Sequence, residues 1–351
     1  MATANRRQLV MGTAATLLGS ALGLDPDGAR AEQVPNGSRK PFSPAAGPRS
    51  RVVLVNDLSG DIDGLFAAVH ALLSPTAALQ SIVGTKSQMA GENAAQSAAI
   101  ASEILELMGM TGRAKVFEGA AAKLPGPTTP VPSPGTQAII GEAMRTDTGL
   151  PLYVTVGGGL TEVASALMLE PRIADRFMLV WIGGDAYPAG GTGETNFSID
   201  PLAAQYVYNQ SHVPIWQIPR SVYATCLVSA SELQAFVAPH GPIGAWLYRQ
   251  VVDMPGRYRK VLNMGETWTL GDSPLVVLTA LADWNPSSGG RSFKYEKTGS
   301  SAYDTVPAPR FNPDGTFVPT TDGRSIRIYS SIDNRMMFGD FFAKLRVNFG
   351  Q

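Results

Sequence analysis

The segment Val52-Val53-Leu54-Val55-Asn56-Asp57-Leu58-Ser59-Gly60-Asp61-Ile62-Asp63-Gly64 constrains this chain more than any other. A β-branched apolar run, of the kind buried on both faces of a parallel sheet, stops and is followed by three carboxylates. Leu65-Phe66-Ala67-Ala68 then starts a helical pattern. Three aspartates at one strand end repel one another, so they need a cation, a polar ligand or helix-start hydrogen bonds. Two readings follow. In one, Asp57, Asp61 and Asp63 form a site for a hard ion such as calcium, with one carboxylate doubling as general base. In the other, Asp63 caps a helix while Asp57 and Asp61 are solvated.

Beyond this segment, short apolar runs alternate with helical patterns. The runs predict strands over 51–55, 79–84, 114–117, 152–156, 177–182 and 213–218. Helices are expected over 64–74, 91–109, 160–170, 200–210, 230–238, 243–253, 274–283 and 336–347. The alternation predicts an α/β fold with a mostly parallel sheet covered by helices on both faces. Residues 284–330, rich in Gly, Ser, Pro and Asp, are expected to form loops and a β-hairpin. In such sheets ligands bind beyond the carboxyl ends of the strands. The unusual sequences share that rim: Asp57, Asp61 and Asp63, then Gly84-Thr85-Lys86, Gly157-Gly158-Gly159 and Gly183-Gly184-Asp185.

Composition removes several classes of function. A net charge of -1 gives no electrostatic reason to bind nucleic acid. Cys226 is the one cysteine, and His70, His212 and His240 lie at no metal-ligand spacing, so any metal would be held by oxygen. His70 and Cys226 are read as packed side chains. Asn5-Arg6-Arg7-Gln8-Leu9-Val10, an apolar stretch to about Leu24 and Ala29-Arg30-Ala31 resemble a cleavable twin-arginine signal over 1–31. A linker over 32–50 and one domain over 51–351 follow. The expected location is periplasmic or secreted, with no stable membrane association after processing.

Glu194 and Asn196 flank one residue, so in an extended segment they point the same way and suit sugar hydroxyls. Equally, they belong to a polar loop before a helix that Asp200 caps and Pro201 starts. Asp272, before Ser273-Pro274-Leu275, either completes an ion site or caps the next helix. Gly157-Gly158-Gly159 is no dinucleotide fingerprint, but it admits close backbone approach, and a carbonyl there can serve a cation. Trp268 is a candidate wall for a base ring, or simply core.

Together these segments resemble the inosine-uridine preferring nucleoside hydrolase family. Asp57-Leu58-Ser59-Gly60-Asp61-Ile62-Asp63-Gly64 is similar to a longer variant of its first motif, and Gly158-Gly159-Leu160-Thr161-Glu162 to its second. Trp181-Ile182-Gly183-Gly184 is similar to a strand end of the family, Glu194 through Ala204 to its Glu-x-Asn segment, and Asp272-Ser273-Pro274-Leu275 to its late helix start. The resemblance implies an α/β fold with a Rossmann-like, open, mostly parallel sheet, a calcium ion, and hydrolysis of an N-ribosyl bond in a small nucleoside-like substrate, by a chain that is often oligomeric. By the same resemblance, Asp57 binds calcium and takes the proton from the attacking water, with Asp61, Asp63, the carbonyl near Gly157 and Asp272 as further ion ligands. Asp63, Thr85, Glu194 and Asn196 hold the substrate. Three positions depart from the pattern. Gly64 stands where the family has a calcium-binding Asp, a gap that Asp61 is placed to fill. Thr85 replaces an Asn, and Gly271 stands where some members carry the His that protonates the leaving group. Those departures leave a rival expectation, a non-catalytic periplasmic nucleoside- or ribose-binding protein on the same scaffold.

Overall fold

A computed structural model of the protein describes residues 47–89, 91–191, 193–253, 265–281 and 301–350. The proposed signal, the linker as far as residue 46 and residues 284–300 lie outside the described residues. Strand β1 (Ser50–Asn56) runs parallel between β2 (Ala77–Gly84) and β4 (Leu152–Gly157). The eight-stranded sheet has the order β3-β2-β1-β4-β5-β6-β12-β9. Its remaining members are β3 (Lys115–Glu118), β5 (Met178–Ile182), β6 (Ile215–Ile218), β9 (Ala302–Pro307) and β12 (Ser325–Ser331). Only β9, on the edge, is antiparallel to its neighbour. Pairs β7–β8 (Leu227–Ser229, Thr267–Thr269) and β10–β11 (Arg310–Phe311, Phe317–Val318) form two small separate sheets.

Successive side chains of β1 enter different cores, as the two-residue period of a strand requires. Val52 and Leu54 join the core that contains Leu65 of α1 (Ile62–Leu72), Ile104 of α2 (Ala94–Leu107), Leu247 of α9 (Gly241–Val252) and Phe341 of the C-terminal helix Asn334–Phe349. Val53 and Val55 join Ile139 of α3 (Pro134–Ala143), Val163 of α4 (Thr161–Leu169) and Val207 of α6 (Pro201–Asn209). This is the expected two-faced α/β sheet. His70 packs in the first core, where it pairs with Asp340 at 2.8 Å, and Cys226 is a buried free thiol.

The expected strands and helices are present to within a few residues; the short helix Arg220–Tyr223 and the β7–β8 pair are additional, and four further differences stand out. Helix α3 was not anticipated; Ser133 starts it by accepting from Thr136 N at 3.0 Å. Helix α5 (Thr195–Ile199) replaces the extended segment expected around Glu194. The 274–283 helix is a short turn, Pro274–Val276, that widens into a π-helical stretch over Val277–Leu281. Finally, β12 is no detached hairpin strand but pairs in parallel with β6. Charged Arg327 concealed it in the sequence. Its guanidinium lies over Trp216 and Tyr303, at 4.8 and 4.4 Å from the ring centres.

Candidate active site

The strand order reverses between β1 and β4, and the acidic segment folds at that crevice. Gly60 N and Asp61 N donate to the Asp57 carbonyl at 2.7 and 3.3 Å, turning the chain sharply out of β1. The cap of α1 is Asp61, which accepts from Asp63 N at 3.5 Å, and not Asp63 as the bland alternative had it. Asp63 instead accepts from Gly64 N through one oxygen (2.9 Å) and from Asp272 N through the other (3.1 Å). Asp272 caps nothing. Its Oδ2 accepts from Asn56 Nδ2 at 2.7 Å, and its carboxylate presses on Gly157, where a Cβ would overlap it. A Cβ on Gly158 would lie 3.5 Å from Asp57 Oδ1 and 3.4 Å from Thr85 Oγ1. Asp57, Asp63, Thr85, Gly157 and Asp272, scattered over more than two hundred residues, therefore share one small volume. Trp181 fixes its floor by donating to the Gly158 carbonyl at 3.0 Å.

Burial is the main influence on these carboxyl groups. Asp57, Asp63 and Asp272 are 4%, 8% and 3% exposed. Desolvation, then repulsion from Asp61 and Asp272, holds Asp57 well above the usual carboxylate range. Asp63 is raised by the same burial and by Asp272. Asp272 is pushed up to about 7 by burial and then by Asp61, against the hydrogen bond from Asn56. A group held high in the fold contributes stability that is complete below its unfolded pKa and is lost as pH rises through the folded value. Asp272→Asn removes that loss. In chelator-treated protein, the urea midpoint of Asp272→Asn is expected to gain on that of wild type between pH 5 and pH 8. A gap that stays constant would show that Asp272 is not strained by its neighbours.

Among the described residues no three His, Cys, Asp or Glu side chains form a ready ion cage. The donor set nonetheless suits a hard divalent cation. It offers carboxylates in excess of any nearby cationic partner, and two buried oxygens, Asn56 Oδ1 and Thr85 Oγ1, have no hydrogen-bond partner.

Glu194 is fully buried and caps α5 beside the end of β5. Its oxygens accept from four protein donors: Gly184 N (2.8 Å), Phe197 N (2.7 Å), Asn196 N (3.1 Å) and Tyr223 OH (2.7 Å). Burial raises its pKa and these donors hold it down. Asn196 is half-buried and donates to the Ile182 carbonyl at 2.8 Å, which leaves its Oδ1 for a ligand. Tyr223 ends α7 (Arg220–Tyr223), and a Cβ on Gly271 would lie 3.0 Å from its ring. Asp63 Oδ2 would lie equally close, so a side chain at 271 would crowd both the ring and that carboxylate. Trp268 packs against the first core. Sequence reasoning missed Asn56 and Tyr223. Asn56 was discoverable as the polar residue that ends the apolar run over 52–55, next to Asp57, whereas Tyr223 reaches the site only through the fold.

A profile of the family described as inosine-uridine preferring nucleoside hydrolase matches residues 52–325. The chain belongs to this family. Two curated members, from Crithidia fasciculata and Leishmania major, are 45% identical over 64 residues and 47% identical over 57 residues. Those stretches cover 17% and 15% of this chain and less than a fifth of either relative (19% and 18%). A purine-preferring ribonucleoside hydrolase from Gardnerella vaginalis has the same fold, with a TM-score of 0.67 at 17% identity over 86% of this chain and 99% of that one. An inosine-uridine preferring nucleoside hydrolase from Bacillus anthracis superposes with a TM-score of 0.58 at 16% identity, over 85% and 99% of the two chains. Nucleoside hydrolase membership thus agrees with the resemblance read from the motifs.

Proposed function

We propose that this chain hydrolyses the N-glycosidic bond of a ribonucleoside or related N-riboside to ribose and free base, with calcium as its resident ion. The observation that carries the reading is the convergence of buried Asp57, Asp63 and Asp272 at the β1–β4 switch point. The names of the relatives suggest inosine, uridine and purine nucleosides. The twin-arginine-like segment adds that the enzyme works in the periplasm or outside the cell.

Asp57, Asp272 and the Gly157 carbonyl would hold the ion. When bound, calcium supplies positive charge that acidifies nearby water and grips neighbouring hydroxyls. The protein does the rest. Asp57 takes the proton from the water that attacks C1′. Asp63 and Asn196 Oδ1 orient the sugar hydroxyls, while Glu194 holds the Asn196 backbone in place. Cleavage of the C1′–N bond builds an oxocarbenium-like sugar, and the surrounding carboxylates favour that positive charge.

Full-length protein incubated with a ribonucleoside panel is expected to release base and ribose in equal amounts. Chelation should abolish release and calcium should restore it. Saturable nucleoside binding without any release would support the non-catalytic binding protein instead.

A further inference from the structure

Asn56 is the last residue of β1 and is 0% exposed. Its Nδ2 is committed to Asp272 Oδ2, but its Oδ1 has no hydrogen-bond partner. A buried carbonyl oxygen left unpaired is destabilising, so such an atom calls for an explanation. The carboxamide lies between the first turn of α1 and the end of β4. A Cβ at position 64 would overlap Oδ1, and a Cβ at position 157 would crowd Nδ2. The orphan oxygen therefore sits against the backbone of Gly64, next to Asp63, and is tethered to Asp272.

Position 64 is where the resemblance places a calcium-binding carboxylate, and the chain has glycine there. The sequence alone nominates Asp61 to fill the gap. In the fold, however, Asp61 is exposed and caps α1. Asn56 is better placed, since its side chain takes the room that a residue at 64 would occupy. We propose that Asn56 Oδ1 is a neutral oxygen ligand standing in for the carboxylate missing at Gly64, alongside Asp57 and Asp272. This rests on the cation reading of the acidic cluster. Amide carbonyl oxygens are ordinary ligands of hard divalent ions, and affinity follows the number of charged ligands. Exchanging a carboxylate for an amide leaves the site with one negative charge fewer. It also explains Gly64 sterically: with asparagine at 56, any larger residue at 64 collides with it.

Calcium titration calorimetry on the full chain tests this, with circular dichroism confirming the fold of each variant. Wild type should bind one calcium ion. Asn56→Ala should weaken binding about tenfold or more, and Asn56→Asp, equal in shape but charged, should tighten it about tenfold. Gly64→Asp alone should melt lower than wild type, whereas Asn56→Ser with Gly64→Asp should regain the melting temperature and bind calcium at least as tightly as wild type. If wild type binds calcium and both Asn56 variants match it, the assignment is wrong while the hydrolase reading stands. Base release by a wild type that binds no calcium would overturn both the cation reading and this ligand. A Gly64→Asp protein as stable as wild type would overturn the steric exchange.

Discussion

Asp57→Asn is expected to lower base release on the order of 10³-fold, the range for losing a general base, while making the metal-free protein more stable. The two effects have one origin. Asp57 is 4% exposed, and burial together with Asp61 and Asp272 holds its pKa well above the usual range. An ionised Asp57 is thus a group the fold tolerates for its chemistry. Asparagine keeps the shape and removes the charge, so the repulsion disappears. The sign of the linkage follows. The stability that wild type loses as pH rises through the raised pKa is not lost by the variant, so the melting temperatures diverge towards higher pH in chelator. At saturating calcium KM should change less than kcat, because Asp57 moves the proton itself and reaches the sugar only through the ion it helps to hold. Activity falling only a few-fold would remove Asp57 from that role. Lost activity with lost stability would mean that it is a structural residue.

How much of this was legible in the sequence depended on how local each signal was. The strands β1, β2, β4, β5 and β6 are mostly apolar, because a central parallel strand is buried on both faces, and the ends of β1, β2 and β4 carried Asp57, Thr85 and Gly157 in plain view. Asp272 was ambiguous between ligand and cap, since aspartate before a helix does either. Only the hydrogen bond from Asn56, 216 residues away, separates the two. Strand β12 was hidden because its period-two pattern contains Arg327 and Ser residues, and its partner β6 lies about a hundred residues earlier. Likewise, the spacing of Glu194 and Asn196 is as compatible with a helix start as with a strand, and α5 is one turn long. What fills the positions of Gly64 and Gly271 was invisible, because a glycine says that space is scarce without naming the side chain that takes it.

Glu194→Gln is the second large effect expected, and it acts through folding before it acts on chemistry. The carboxylate receives two donors on each oxygen, three of them backbone N–H groups of Gly184, Asn196 and Phe197. It therefore ties the end of β5 to the start of α5 and, through the Tyr223 hydroxyl, to α7. Glutamine has the same shape but presents an amide nitrogen to one pair of donors. On the side of Asn196 N and Tyr223 OH the tyrosine hydroxyl can turn and accept from that nitrogen, but the buried Asn196 N–H then faces another donor and goes unpaired, a loss of about 1–2 kcal/mol. The urea midpoint should fall with the slope unchanged. Asn196 is positioned by this same carboxylate, so the fraction that stays folded should show a raised KM for nucleoside. Glu194→Ala should lose more, since all four donors are orphaned. If Glu194→Gln instead keeps wild-type stability and loses only turnover, the carboxylate is a direct ligand of the substrate rather than the anchor of the loop that presents Asn196.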